Sequence, residues 1–149
     1  MENISEALIV WVKAQMEVIG AKNAVVGISG GKDSAVVAAL MVRALGKDRV
    51  YGVMMPDGNQ SDISYARELC DFLGIHQKEL SIRGITDAYW ALMREVEGTW
   101  CQKMSQQTKL NLPPRVRMTS LYALAQSLDA VVVNTSNLSE DWVGYATIY

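Results

Sequence analysis

"SGGKDS" (residues 29–34) is a polar, glycine-rich stretch between two apolar runs, "NAVVGI" (23–28) and "AVVAALMVRAL" (35–45). A short run that is apolar on both faces is typical of a strand in a buried parallel sheet. The second run has the length of a helix, and it is followed by Gly46, a residue type that often ends helices. The sequence therefore predicts a loop that connects a buried strand to the helix that packs over it.

Strands and helices alternate along the rest of the chain. Predicted strands cover residues 24–28, 49–55, 76–82 and 130–133, and predicted helices cover 4–19, 34–45, 62–73, 84–97, 113–128 and a segment from about Ser139. Residues 98–112 show no clear period and are predicted to be a loop, with Pro113 and Pro114 opening the next helix. This alternation indicates an α/β fold, an open parallel sheet with helices on both faces (Rossmann-like).

Apolar stripes predict which side of two helices faces the core. In the first helix, the predicted inner face carries Leu8, Trp11, Val12, Gln15, Val18 and Ile19. In the helix over 62–73, it carries Ile63, Ala66, Cys70 and Leu73. The strand over 76–82 is more polar than the others, so we expect it near an edge of the sheet.

The composition limits the classes of protein to which the chain can belong. It has 149 residues, half of them hydrophobic and a fifth charged, which fits one soluble domain with its own core. The formal charge is −2 and no basic stripe is present, so we expect no nucleic-acid partner. No apolar run reaches the roughly 18 residues that span a bilayer, so we expect no membrane partner. Cys70 and Cys101 are too few for a disulfide framework, which favours a cytoplasmic location.

The loop at 29–34 has the chemistry of a phosphate-binding site. Glycines let backbone N–H groups approach an anion, and the start of the following helix adds a positive potential. The loop is not a Walker A motif, because Val26 occupies the first glycine position and Asp33 follows the lysine. It is not a dinucleotide fingerprint either, because Ser29 stands at the second glycine. An aspartate beside a phosphate is repulsive unless a cation lies between them, so Asp33 indicates bound Mg²⁺.

The alternative for this stretch is a plain strand–turn–helix corner in which Asp33 and Ser34 only cap the helix. Glycine corners are common, and a Gly-Gly pair alone would not decide between the two interpretations. The full string S-G-G-x-D-S, between a buried strand and a helix, favours the phosphate site.

Three segments resemble known enzymes. "GISGGKDS" (27–34) is similar to the pyrophosphatase loop of the ATP-pyrophosphatase superfamily, whose members cleave ATP between its α and β phosphates. "NLPPRVRM" (111–118) and "NTSNLSEDWVGYATIY" (134–149) resemble ammonia-dependent NAD synthetase. The resemblance covers residues 24–149. It implies an adenine nucleotide alpha-hydrolase-like fold, with a single ATP-pyrophosphatase-type domain over residues 1–149.

The resemblance also implies roles for particular residues. Those that would bind ATP are Ile28, Ser29, Gly30, Gly31, Lys32, Asp33, Ser34, Gln60 and Thr135. Within this set, Lys32 and Asp33 would be the catalytic residues. Asp33 and Glu140 would bind Mg²⁺, and Arg115 would bind nicotinic acid adenine dinucleotide.

The implied reaction uses ATP and Mg²⁺ in two steps. The carboxylate of nicotinic acid adenine dinucleotide attacks the α-phosphorus of ATP and releases pyrophosphate. Ammonia then attacks the acyl adenylate and gives NAD and AMP. The resemblance further implies a homodimer. Two alternatives stay open: another ligase of the superfamily (GMP-synthetase-like or tRNA-modifying), and an inactive nucleotide-binding fragment.

Elementary geometry is consistent with these roles but leaves alternatives. Asp33 and Glu140 follow different strands of one parallel sheet, so both can lie at its carboxyl edge. Glu140 could instead only favour the start of a helix, and Thr135 could be an ordinary loop residue. Arg115 and Arg117 diverge by about 200° on a helix, so one can reach the crevice while the other faces solvent or a partner.

The last helix is predicted to be cut at Tyr149. By the resemblance, the family's domain continues beyond this residue, so we expect its C-terminal part to be missing. Some relatives carry lysine where this chain has Ile148, and Tyr145 is a candidate for a contact between subunits.

Overall fold

The computed structural model describes residues 2–143, and a parallel sheet lies at its centre. The strands in this range are β1 (Asn23–Gly27), β2 (Val50–Met54), β3 (His76–Glu79) and β4 (Ala130–Val133). Their order is β3-β2-β1-β4, and every neighbouring pair is parallel. The predicted sheet is confirmed, and β3 is an edge strand that is exposed along its length, as its polar sequence predicted.

Helices cover both faces of the sheet, which confirms the predicted architecture. They are α1 (Glu2–Ile19), α2 (Lys32–Leu45), α3 (Ile63–Leu73), α4 (Arg83–Met93), α5 (Gln106–Ser127) and α6 (Leu138–Val143), with a 3₁₀ turn at Lys47–Arg49. Side chains of α1, α2 and α3 form one apolar cluster with Val26. Ile82, at the start of α4, and Ala125 of α5 form a second cluster with Val25. Neighbouring residues of a strand point to opposite faces, so the two clusters lie on opposite sides of β1.

The predicted inner face of α1 is wrong for most of its residues, although Val12 does pack against the core. Its buried residues are Ile9 and Met16, and Trp11 is 60% exposed. The predicted inner residues that are exposed are Leu8, Trp11, Val18 and Ile19. The helix packs on α2 through a stripe that is displaced from the predicted one by a single residue, which is about 100° around the helix axis. Both stripes are apolar, so periodicity alone could not choose between them.

The start of α5 also differs from the prediction, because residues 106–112 are helical rather than a loop. The helix begins after Ser105, whose hydroxyl accepts from the backbone N–H of Thr108 at 3.0 Å. This cap satisfies one of the N–H groups that every helix start leaves without a partner. Pro113 and Pro114 then lie inside the helix, where they remove two backbone donors but do not end it.

The preceding helix is shorter than predicted, since α4 ends at Met93 rather than near residue 97. A turn follows it, with Gly98 at φ +80° and an isolated bridge between Glu97 and Cys101. Positive φ is costly for residues other than glycine and is incompatible with a continuing helix. Gly98 therefore belongs to this turn, outside the helix.

Cys70 is fully buried in α3, as the predicted stripe of that helix required. Burial raises the pKa of its thiol, and the nearby charge of Asp71 raises it further. Both effects disfavour the reactive thiolate, so Cys70 acts as a small core side chain. Within residues 2–143, no helix is long and apolar enough to cross a bilayer. Tyr145 and Ile148 lie outside the described residues.

Gly52, in the middle of β2, has no room for a side chain. A Cβ atom there would lie 2.9 Å from Ile75 Cδ1, 3.1 Å from Cys70 Sγ and 3.2 Å from Ile28 Cγ1. All three neighbours are buried, so we expect Gly52→Ala to lower the free energy of unfolding by about 1–3 kcal/mol. Urea denaturation followed by circular dichroism measures this loss.

Gly84→Ala is the matched control for Gly52→Ala. Nothing lies within 4 Å of a Cβ at Gly84, near the start of α4, so alanine there should stabilise the helix slightly. An unchanged stability for Gly52→Ala would contradict the tight packing of β2 against α3.

Candidate active site

The stretch 29–34 lies at the carboxyl edge of the sheet, between β1 and α2. The backbone N–H of Ile28 donates to the carbonyl oxygen of Val53 at 2.9 Å, which extends the pairing with β2 one residue beyond β1. The chain then turns, and α2 begins at Lys32 with Gly31 as its N-cap. Ligands of open parallel sheets bind at this edge. The predicted strand–loop–helix arrangement is confirmed.

Two serines fix the shape of this loop from inside. The side chain of Ser34 is buried, and its hydroxyl donates to the carbonyl oxygen of Gly31 at 3.0 Å and accepts from the N–H of Ser29 at 3.3 Å. The hydroxyl of Ser29 accepts from the N–H of Gly31 at 3.2 Å. These bonds fix the conformation of the loop from within. The predicted contact of Ser34 with ATP stays a prediction, because its hydroxyl is engaged within the loop.

The start of α2 presents groups that suit an anion. Gly31 makes no side-chain capping bond, and the N–H groups of the first helical turn have no partners within the helix. Lys32 is exposed and Asp33 is half-buried in this first turn. The free N–H groups and the Lys32 ammonium are attractive to phosphate, whereas the carboxylate of Asp33 is repulsive unless a cation intervenes.

A second loop, residues 56–62, packs against the phosphate loop and is called here the 56–62 loop. The side-chain amide of Gln60 donates to the carbonyl oxygen of Ser29 at 3.1 Å. Gly30 has φ +88°, and a Cβ at this residue would lie 2.5 Å from the carbonyl oxygen of Asp62. Glycine is therefore required at residue 30 for two reasons, its backbone angle and its contact with the neighbouring loop. Gln60 therefore lies beside the phosphate loop, and its contact with ATP, which the resemblance implies, stays a prediction.

The loop after β4 lies beside the one after β1. Val133 pairs directly with Val26, so the two chains leave the sheet next to each other. Thr135 is half-buried in this loop. The carboxylate of Glu140 accepts from the N–H of Asn137 at 3.1 Å, and the side chain of Asn137 accepts from the N–H of Glu140 at 3.1 Å. This reciprocal pair is a capping box, so Glu140 does favour a helix start.

The capping bond leaves room for the predicted metal role of Glu140. The bond uses Oε2, and a carboxylate has about four lone-pair positions for acceptor contacts. Within residues 2–143, no group of three or more His, Cys, Asp or Glu side chains is placed to hold a metal ion. Mg²⁺ commonly takes only one or two carboxylates together with phosphate oxygens and waters. In donor chemistry, the carboxylate oxygens of Asp33 and Glu140 suit a Mg²⁺ that binds together with a phosphate chain, and their role as its ligands stays a prediction.

Arg115 and Arg117 lie in different surroundings on α5. Arg115 is exposed and lines a mostly apolar pocket of about 330 Å³ between α4 and α5, with Tyr89 and Leu112 among its walls. Arg117 is half-buried, and its Nε donates to the backbone carbonyl oxygen of Met55 at 2.9 Å. Burial lowers the pKa of the Arg117 guanidinium from its usual range, and the nearby Asp57 carboxylate opposes that change. Arg117 thus extends from α5 to the end of β2, and it is not an exposed surface charge.

Sequence reasoning missed the polar cluster around Asp57. The hydroxyl of the buried Thr86 donates to Asp57 Oδ1 at 2.9 Å, and Arg83 Nη1 lies 3.9 Å from the same oxygen. The turn residues of "PDGNQS" (56–61) indicate a loop, but the partners of Asp57 come from α4 and α5. No local pattern indicates that Thr86 faces inward and reaches this loop.

Comparison with known proteins gives a consistent result. A model of the NAD synthase family matches residues 4–149. The NH₃-dependent NAD⁺ synthetase of Methanosarcina mazei is 40% identical over 152 aligned residues, which cover 100% of this chain and 57% of that protein. The chain therefore spans little more than half the length of this relative.

Two solved structures are also similar. The glutamine-dependent NAD⁺ synthetase of Acinetobacter baumannii, in complex with ADP, superposes with a TM-score of 0.89 at 31% identity, over 98% of this chain and 28% of that one. The NMN synthetase of Francisella tularensis superposes with a TM-score of 0.87 at 32% identity, over 98% of this chain and 58% of that one.

These matches decide between the families that the sequence left open. The loop at 29–34 is common to a whole superfamily, and it left GMP-forming and tRNA-modifying ligases as alternatives. The family model extends over almost the whole chain, including the two later segments, 111–118 and 134–149. With the strand–loop–helix geometry and the parallel sheet described above, it follows that the chain belongs to the NAD synthase family.

Proposed function

We propose that this chain carries the ATP-binding part of an ammonia-dependent NAD synthetase, an ATP-dependent ligase that forms an amide bond. In this proposal residues 1–149 belong to one ATP-pyrophosphatase-type domain. The observation that carries it is the loop at 29–34, which is held in shape by Ser29 and Ser34 and lies at the start of α2. Such a preformed loop needs little reorganisation to receive a triphosphate, and positioning supplies much of the rate in phosphoryl-type chemistry.

In the proposed ATP site, the backbone from Ile28 to Ser34 surrounds the phosphates. Lys32 is exposed at the start of α2, where its ammonium would offset the charge that develops on the leaving pyrophosphate. Gln60 and Thr135 flank the loop from the ends of β2 and β4, and we assign them contacts with the nucleotide. Asp33 and Glu140 would hold Mg²⁺, which supplies further charge neutralisation on the phosphate oxygens when it is bound.

Arg115 is proposed to bind the second substrate, nicotinic acid adenine dinucleotide. Its guanidinium can form two parallel hydrogen bonds with a phosphate or a carboxylate. The pocket that it lines also carries Tyr89 and Ile85, which offer apolar surface to an aromatic ring. A cationic rim on an apolar pocket suits a ligand that combines phosphates with flat ring systems.

The proposed reaction requires no nucleophilic side chain from the protein. The substrate carboxylate attacks the α-phosphorus of ATP, the bond between the α-phosphorus and its bridging oxygen breaks, and pyrophosphate leaves. Ammonia then attacks the carbonyl carbon of the acyl adenylate, and AMP leaves as the amide of NAD forms. A carboxylate accepts ammonia poorly, and adenylation supplies the leaving group. The protein contributes orientation and charge neutralisation.

A second candidate substrate is nicotinic acid mononucleotide, and the observation that favours it is the likeness to the Francisella tularensis NMN synthetase. The chemistry at the carboxylate is the same for both substrates. They differ in the presence of a second, adenosine-containing half, so the choice between them depends on binding and not on the reactive group.

The rest of the proposal concerns partners and location. We propose a homodimer, which the exposed aromatic side chains of Trp11 (60% exposed) and Trp142 (80% exposed) would suit. We also propose a cytoplasmic location. We propose no nucleic-acid or membrane partner either, which the formal charge of −2 supports.

The test is pyrophosphate release from the 149-residue chain. The assay contains Mg·ATP, ammonia and either nicotinic acid adenine dinucleotide or the mononucleotide, with each component omitted in turn. We expect release that requires Mg·ATP and the dinucleotide but not ammonia, because adenylation precedes amidation. Release that requires only the mononucleotide would select the second candidate. Mg·ATP binding without release would favour a nucleotide-binding fragment, and no binding at all would overturn the proposal.

A further inference from the structure

The 56–62 loop contacts the phosphate loop on one side and two helices on the other. On the first side, Gln60 donates to the carbonyl oxygen of Ser29, and Asp62 lies against Gly30. On the second side, the N–H of Ile82 donates to the carbonyl oxygen of Pro56 at 3.0 Å. Contacts that hold the 56–62 loop in place therefore also hold Gln60 and Asp62 against the phosphate loop.

Arg117 of α5 holds the start of this loop. Its Nε donates to the carbonyl oxygen of Met55, the residue directly after β2, at 2.9 Å. Met55 is buried, so this bond is shielded from competition with water. The guanidinium also lies close enough to Asp57 for the two charges to interact, and Asp57 is fixed in turn by Thr86.

The burial of Arg117 indicates that its position is specific. A half-buried guanidinium loses hydration, and this loss is offset only where its donors find well-placed acceptors. Here one acceptor is a backbone oxygen, which cannot move away without displacing the end of β2. A charged hydrogen bond to a buried carbonyl oxygen is worth more than a neutral one.

We propose that Arg117 is a positioning residue for the nucleotide site. It acts through Met55 and Asp57 to hold the 56–62 loop, so that Gln60 and Asp62 stay against the phosphate loop. The role in ATP binding rests on the proposed function, whereas the holding of the 56–62 loop does not. The two arginines of α5 thus have different roles. Arg117 supports the 56–62 loop beside the nucleotide site, and Arg115 lines the pocket between α4 and α5.

The experiment combines amide hydrogen exchange with calorimetric binding of Mg·ATP, using the full 149-residue chain. In Arg117→Met, we expect the amides of residues 57–62 to exchange about tenfold faster, whereas those of β1 are unchanged. The Kd for Mg·ATP should rise about tenfold, whereas that for nicotinic acid adenine dinucleotide should not change. Arg117→Lys keeps a cationic donor and should restore part of both effects.

Arg94→Met is the matched control, because Arg94 is an exposed arginine at the end of α4. It should leave both exchange and ATP binding at wild-type values. Unchanged exchange at 57–62 in folded Arg117→Met would overturn the proposal, as would equal losses of affinity for both ligands. If Arg117→Met does not fold, Arg117→Lys decides by the same two measurements. Wild-type chain that binds no Mg·ATP would refute the proposed function, and the exchange data would still decide whether Arg117 holds the loop.

Discussion

Replacing Asp33 with alanine is expected to reduce Mg·ATP-dependent pyrophosphate release on the order of a hundredfold or more, without unfolding the chain. Asp33 lies in the first turn of α2, beside the N–H groups that are proposed to receive the phosphates. Without its carboxylate, the proposed Mg²⁺ loses one of two protein ligands and the charge of the phosphates is less well neutralised. The measurement is initial-rate pyrophosphate release at saturating Mg²⁺, together with calorimetric titration of Mg·ATP.

The stability of the Asp33→Ala variant should change little. A carboxylate in the first turn of a helix contributes about 0.3–1 kcal/mol through the helix dipole, so thermal unfolding should shift by only a few degrees. Asp48→Ala is the control, because Asp48 is an exposed carboxylate in the 3₁₀ turn before β2, at the opposite edge of the sheet. Wild-type release by Asp33→Ala, at matched stability, would refute the assignment of the loop as a Mg·ATP site.

The sequence predicts well the part of the site that is formed by residues close together in the sequence. The loop at 29–34 follows a strand and starts a helix within a few residues, so its place at the sheet edge follows from local pattern and from the rule for parallel sheets. Gln60 was predicted beside the nucleotide only through resemblance, and its bond to Ser29 joins residues far apart in the sequence. The burial of Thr86 and the inward position of Arg117 depend on how α4 and α5 pack, which no short pattern indicates.

The errors in the fold have the same origin. On α1 there are two adjacent apolar stripes, and only the packing of α2 selects the one through Ile9 and Met16. The prolines at 113 and 114 predict the start of a helix there. The structure instead begins α5 at Gln106, after the Ser105 cap. Local preference is a weak guide wherever tertiary contacts can override it, and both segments are cases of this kind.

The structural role of Glu140 is compatible with its proposed metal role. Its carboxylate closes a capping box with Asn137, which was the structural alternative. The same box fixes the side chain of Glu140 at the start of α6. This helix follows β4, and β4 pairs with β1, the strand that leads into the phosphate loop. A carboxylate that is already oriented loses less entropy when it meets a cation, so the cap supports the proposed metal role.

Gly30→Ala is expected to damage both the fold and the site. A non-glycine residue at φ +88° is strained by about 1–2 kcal/mol, and the new Cβ would lie 2.5 Å from the carbonyl oxygen of Asp62. The obstacle is backbone, so the two loops must separate. We expect the free energy of unfolding to fall by about 2–3 kcal/mol and the affinity for Mg·ATP to fall at least about tenfold. Urea denaturation and calorimetric titration measure the two losses.

The comparison with Gly20→Ala separates the effect of strain from that of the contact between the loops. Gly20 has φ +76° at the end of α1, but nothing lies within 4 Å of a Cβ there. Its alanine variant should lose only about 1 kcal/mol of stability and should bind Mg·ATP as the wild type does. If both variants lose the same stability and neither loses affinity, the close approach of Asp62 to Gly30 does not shape the phosphate loop. A loss of affinity confined to Gly30→Ala, and larger than its extra instability explains, means that the 56–62 loop is part of the nucleotide site.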